Sequence, residues 1–162
     1  MGEGFRIRLL RPEDRPTLAE IESEVFSDPW PGAAFDALLG PYAIAAERDG
    51  RVVGFVLGRA VADEGEVLNL AVVPDQRRRG VARALLDELL KYLTDDGVRL
   101  VFLEVRESNE GALAFYEKAG FERVGRRPGY YRLPREDALV MRRCIGADPG
   151  AQKNDAKGRI FG

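Results

Sequence analysis

The chain has 162 residues, 45% of them hydrophobic and 32% charged, the balance of one ordinary globular domain that buries its own core and leaves no room for a second. Its 25 Lys and Arg against 27 Asp and Glu give a formal net charge of -2, so no global basic field draws it onto nucleic acid or an anionic membrane. There is no histidine, which excludes Ser-His-Asp and Cys-His catalysis and histidine metal ligation within the chain, and the one cysteine, Cys144, can form neither an internal disulfide nor a multi-thiolate metal site.

In chain order, Glu3, Arg6 and Arg8 interrupt any signal-peptide core, so a cytoplasmic protein is expected. Phe5 to Arg11 alternates like a strand, and Pro12, Glu13 and Asp14 then read as the acidic first turn of a helix with Leu18, Ile21, Val25 and Phe26 at helical spacing. Asp28, Pro29, Pro31 and Gly32 break that pattern before a short second helix over Ala33 to Leu39. The longest hydrophobic run, Tyr42 to Ala46, is far short of the roughly 20 residues that a membrane-spanning helix needs. Two apolar segments, Pro41 to Arg48 and Arg51 to Val61, flank Asp49-Gly50 and predict a hairpin.

Glu66 to Val73 reads as a further strand stopped by Pro74. Arg79 to Thr94 carries Ala82, Leu85, Leu86, Leu89, Leu90 and Leu93 on one face of an amphipathic helix closed by Gly97. A strand over Val98 to Arg106 follows, then a helix that Ser108-Asn109 opens and Gly120 stops. Phe121 to Arg126 and Asp137 to Arg143 are the last two strands, joined by a loop containing Pro128, Gly129 and Pro134. This order gives an α/β fold, a mixed sheet with helices on both faces. Residues 1–146 form the expected domain, and the polar, Gly-rich 147–162 are an expected flexible tail, in which Ile160 and Phe161 could dock.

Leu68 to Leu86 carries the most information: strand, proline, arginine-rich turn, glycine, helix. Backbone amides delivered onto a helix N-terminus make an anion site, Gly80 permits close backbone approach, and Arg77, Arg78, Arg79 and Arg83 supply charge suited to a pyrophosphate. The same arginines could equally be a solvated turn and helix face. The segment lacks both the triphosphate loop pattern and the three-glycine dinucleotide fingerprint, which disfavours ATP and NAD.

Arg77-x-x-Gly80-x-Ala82, preceded by Ala71-Val72-Val73-Pro74, resembles the acetyl-CoA signature of the GCN5-related N-acetyltransferase (GNAT) superfamily. FSDPW (Phe26 to Trp30), LEVRESNEGALAFYEKAGF (Leu103 to Phe121) and YYRLPREDALVM (Tyr130 to Met141) are similar to the RimI family within it, and the resemblance spans Ile7 to Met141. It implies a GNAT fold with a single, mostly antiparallel sheet of about seven strands. It also implies acetyl-CoA as co-substrate with no metal, held by Leu70, Ala71, Val72, the loop and helix start from Arg77 through Arg78, Arg79, Gly80, Val81 and Ala82 to Arg83, and by Asn109. The implied partner is a protein N-terminus, the N-terminal alanine of a small-subunit ribosomal protein. No nucleic acid or membrane is implied, and the enzyme would act as a monomer or weak homodimer.

Individual residues also have readings of their own. Alternation places Leu100, Phe102 and Glu104 on one strand face and Val101, Leu103 and Val105 on the other, so Glu104 is either a partly desolvated general base or a strand-end glutamate reaching water or Arg106. Tyr116 lies on the inward stripe of its helix, where packing alone could account for it, and Asn109 is an ordinary helix cap. The resemblance makes Glu104 the proton acceptor, Tyr116 the acid that protonates the leaving thiolate, and amides near Ala71 and Val72 the donors to the thioester carbonyl. Trp30 either anchors its loop or forms one wall of a peptide groove opposite Tyr130 and Tyr131. Arg132 departs from the family pattern, in which a proline is common after the tyrosine pair. Two alternatives stay open: a GNAT enzyme acting on a small-molecule amine, and a CoA-binding module without turnover. Cys144 is read as structural.

Overall fold

In the computed structural model, which describes residues 4–27, 29–31, 34 and 39–146, the alternating segments pair into one seven-stranded sheet. The elements are β1 (Arg6–Leu9), α1 (Arg15–Val25), β2 (Ala43–Arg48), β3 (Arg51–Val61), β4 (Glu64–Val72), α2 (Val81–Asp95), β5 (Leu100–Arg106), α3 (Glu110–Lys118), β6 (Glu122–Arg132) and β7 (Arg135–Cys144), with 3-10 turns at Pro12–Asp14 and Pro74–Gln76. Spatial order is β1-β2-β3-β4-β5-β7-β6. Only β4 and β5 run parallel; the other neighbours are antiparallel. The tail and most of the expected Ala33–Leu39 helix lie outside the described residues.

Local sequence accounts for most of these elements. Asp49 and Gly50 both take positive φ, 54° and 76°, the backbone of a two-residue hairpin turn whose twist matches its strands. The leucine stripe of α2 buries Leu85, Leu86, Leu89 and Leu93 completely, each contributing about 1.5–3 kcal/mol of transfer free energy. The helix lies close against the sheet at Gly58, where a Cβ would stand 2.8 Å from Leu89 Cδ1. Asn69 of β4 instead bonds to Glu22 of α1, so α1 and α2 cover opposite faces.

β6 departs from expectation. The loop predicted from Pro128 and Gly129 is strand as far as Arg132, and only a tight turn at Leu133–Pro134 separates β6 from β7. Two features permit this. β6 is the outer strand, so Pro128 can forgo a ladder hydrogen bond. A register shift between Arg127 and Tyr131 also takes up the extra residues, and Gly129, at φ 60°, donates its N–H to Asp137 Oδ1 at 2.8 Å. Cys144 is likewise corrected: it is exposed at the end of β7 and packs in no core.

One charged cluster ties the first elements together. The Arg8 guanidinium bonds both oxygens of Asp14 at 2.9 and 3.1 Å and Glu47 Oε1 at 2.6 Å, joining β1 to β2 and to the 3-10 turn. It holds both carboxyls below their ordinary values. Because the folded values lie below the unfolded ones, the resulting stability is complete above about pH 5 and is lost as pH falls through the folded values. Arg8→Met should therefore lower the thermal midpoint at neutral pH by roughly 2–4 °C. That difference should shrink below about pH 4, as followed by circular dichroism. A gap that stays constant into acid would show that the loss does not come from these ion pairs.

Candidate active site

The sheet opens in its middle. β4 and β5 pair only over Glu64–Glu66 with Leu100–Phe102, after which β4 runs on to Val72 and β5 to Arg106 with no ladder between them. A bulge in β4 accompanies the opening: Leu57 faces Asn69 and Gly58 faces Val67, leaving Leu68 as the extra residue. Val73 N–H donates to Val53 C=O, so by strand alternation Ala71 N–H also points toward β3, whereas the amides of Leu70 and Val72 point into the split. Of the amides expected near Ala71 and Val72, that of Val72 faces the split and that of Ala71 does not, while that of Leu70 does.

Beyond β4 the chain curls into α2. Arg78 and Gly80 both have left-handed backbone, φ 64° and 82°, and Gly80 is the N-cap. The first intrahelical bond closes from Ala84 N–H to Gly80 C=O, so the amides of Val81, Ala82 and Arg83 have no partner within the helix. Among the described residues, no atom beyond its chain neighbours lies within 4 Å of where a Gly80 Cβ would stand, so there is open space at the helix start. An anionic group fits there, drawn by free donors and the positive end of α2. The arginines are all exposed and play different parts. Arg77 Nε turns back to Val72 C=O at 3.2 Å, at the mouth of the split, and Arg83 pairs with Asp87 at 3.0 Å.

Across the split, Val101, Leu103 and Val105 are buried and Glu104 stands on the more open face, as the alternation required. Glu104 is not simply desolvated. Its Oε2 pairs with Arg127 Nε at 2.9 Å, its side chain is 19% exposed, and the Tyr130 hydroxyl hydrogen-bonds it. Arg127 also lies over the Tyr130 ring at 5.4 Å, and Tyr130 meets Tyr131 edge to face at 5.0 Å. The phenol of Tyr131 is pushed up to about 12, by burial first and by Tyr130 and Glu104 next.

Tyr116 of α3 is 8% exposed between the edges of Phe115 and Phe121. Burial raises its phenol well above the ordinary value, and nearby Tyr131 adds to the rise, so it is a protonated donor at any physiological pH. The structure thus groups Glu104, Tyr130, Tyr131 and Tyr116 into one polar cluster, flanked by the guanidinium groups of Arg106 and Arg127. Asn109 caps α3 by accepting from Ala112 N–H at 3.0 Å.

Two loops near the tyrosine pair are tied together. Arg106 holds the β6–β7 turn through Leu133 C=O at 3.1 Å, Pro134 C=O at 2.9 Å and Glu136 at 3.2 Å, and it stacks 4.3 Å over Tyr131. In the segment after α1, Trp30 is half-buried against the core, and Ser27 Oγ donates to Leu133 C=O at 3.0 Å, joining that segment to the turn. The sequence offered Arg106 only as a possible partner of Glu104, a place Arg127 takes instead, and Ser27 only within the FSDPW stretch; it gave no role to Arg127 or to Glu22, which bonds Asn69 and Trp30 N–H. Glu22 had a visible signal, since it lies four residues after Leu18 on the inward stripe of α1.

Comparison with known proteins agrees with this geometry. Residues 15–121 match the acetyltransferase (GNAT) family. The chain is 40% identical over 156 residues to the N-alpha-acetyltransferase RimI of Mycobacterium tuberculosis, spanning 91% of this chain and 96% of that protein. It is 36% identical over 139 residues to the [ribosomal protein bS18]-alanine N-acetyltransferase of Escherichia coli K12, covering 83% and 94% of the two. The crystal structure of the Escherichia coli ribosomal-protein-S18-alanine N-acetyltransferase superposes with a TM-score of 0.82 at 34% identity over 89% of this chain and 96% of that one. Ard1 from Thermoplasma volcanium gives 0.83 at 29% identity over 89% and 99%.

Proposed function

Because the chain belongs to the acetyltransferase (GNAT) family, we propose that it transfers the acetyl group of acetyl-CoA to the α-amine of a protein N-terminus, the N-terminal alanine of a small-subunit ribosomal protein. The observation that supports the peptide reading is the contact of the segment after α1 with the β6–β7 turn: Ser27 Oγ meets Leu133 C=O, and Arg106 holds the same turn while stacking over Tyr131, so two loops stand together near the tyrosine pair to receive an extended chain. The similarity to proteins named for that acceptor supports the same reading.

Each residue then has a task. The free amides at the start of α2 bind the pyrophosphate, Gly80 leaves room for it, and the Leu70 and Val72 amides donate to the thioester carbonyl oxygen. Glu104 accepts the proton that the attacking amine loses, and Tyr116 gives its own to the departing sulfur. An α-amine with a pKa of about 7.7–8.0 is roughly one-tenth neutral at pH 7, so a modest carboxylate suffices. A lysine at about 10.4 would cost some 3.4 kcal/mol more to deprotonate.

Peptides with a free N-terminal alanine should react with acetyl-CoA, and the same peptides with a blocked N-terminus and an internal lysine should react poorly, as read by mass spectrometry. Equal rates on both, or turnover confined to polyamines, would remove the peptide reading and leave the CoA site standing.

A further inference from the structure

Glu22 is a carboxylate that the chemistry above does not use, and it is only 2% exposed. Burying such a group is costly unless both oxygens are satisfied, and here both are. Oε1 accepts from Asn69 Nδ2 at 2.7 Å, and Oε2 accepts from the backbone N–H of Trp30 at 3.0 Å. Asn69 is the residue after the β4 bulge and immediately precedes Leu70, whose amide faces the split. Trp30 is half-buried against the core in the segment that the proposed function assigns to the acceptor side. One side chain therefore joins three pieces of chain: α1, the opened half of β4 and the Trp30 segment. Both partners donate, so only an acceptor at each oxygen fits, which an ionised carboxylate provides. Burial is the larger influence and raises its pKa above the ordinary value, which the two hydrogen bonds offset only in part.

The geometry points to Glu22 as a positioning residue that fixes the Trp30 segment to β4 and so sets the acceptor side of the split. The inference rests on the acetyl-transfer reading for its kinetic consequence and not for its structural one. The direct reporter is Trp30 itself, the only tryptophan in the chain.

In Glu22→Ala the Trp30 emission should shift to the red and acrylamide quenching should rise. The KM for the acceptor amine should increase about tenfold, while the acetyl-CoA KM stays within about twofold. Glu22→Gln should retain near-normal values, because the oxygen of the new amide can accept from Trp30 N–H while its nitrogen donates to a flipped Asn69. Asn69→Asp sets an acceptor against an acceptor and should behave like Glu22→Ala, whereas Glu22→Gln combined with Asn69→Asp restores a donor-acceptor pair and should recover both fluorescence and KM. This polarity swap keeps the test decisive if Glu22→Ala fails to fold. Unchanged Trp30 emission in the folded Asn69→Asp protein, no recovery in the double variant, or equal rises in both KM values would overturn the assignment. Because emission needs no substrate, a wild-type protein that ignores peptides but shows the expected emission pattern would discard the peptide reading alone.

Discussion

Glu104→Gln should lower kcat by about 10² to 10⁴, the range a positioned general acid or base contributes, while acetyl-CoA still binds with its original affinity. The substitution keeps the shape of the side chain and leaves an amide oxygen that can still face Arg127 and Tyr130. It removes the group able to take a proton from the amine. Tyr116→Phe should produce a loss of similar order by a different route. Phe keeps the edge-to-face packing with Phe115 and Phe121 and deletes only the hydroxyl. If the two act on opposite ends of one proton path, the double variant should be little worse than either single one, since residues acting as a unit are not additive. Steady-state kinetics at saturating substrates, paired with calorimetry of CoA binding, separates the chemical step from binding. Full kcat in both single variants would take them out of the reaction.

Gly80→Val should abolish tight CoA binding. Two effects combine at this position. The left-handed φ of 82° disfavours a β-branched residue by roughly 1–2 kcal/mol, and the new side chain would fill the open space at the helix start. Losing two charge-assisted hydrogen bonds at about 1.5–3 kcal/mol each raises Kd on the order of 10²-fold or more. Since, among the described residues, nothing beyond its chain neighbours lies within 4 Å of that Cβ, no internal clash there accounts for the loss. Gly80→Asn tests the filling separately from the strain, because asparagine tolerates left-handed backbone. It too should weaken CoA, with the thermal midpoint closer to that of the original protein. Unchanged affinity in a folded Gly80→Val protein, measured by calorimetry, would place the pyrophosphate elsewhere.

Local signals predicted the elements wherever one short stretch contained the whole cause. Asp49-Gly50 with its flanking alternation, the leucine stripe of α2 and the Asn109 cap need no distant partner, and each stands where the sequence put it. The inward parity of Val101, Leu103 and Val105 likewise predicted which face Glu104 would take. By contrast, β6 was misread at Pro128 and Gly129, because their turn-forming preference is overruled by pairing with β7, and only the outer position of the strand makes a proline harmless there.

The candidate site divides along the same line. Residue types, spacing and family resemblance singled out the α2 entry, Glu104, Tyr116 and the tyrosine pair as candidates from the sequence alone. Only the tertiary structure decided what surrounds them. Arg127 reaches Glu104 from a strand two places across the sheet, Arg106 ties down a turn some 27 residues ahead, and Glu22 meets Asn69 across 47 residues. The opening between β4 and β5 is likewise an event between strands, set by where their ladder stops. A hydrogen bond or ion pair between distant residues leaves no periodicity for a sequence to carry, because its geometry exists only once the sheet has brought both ends together.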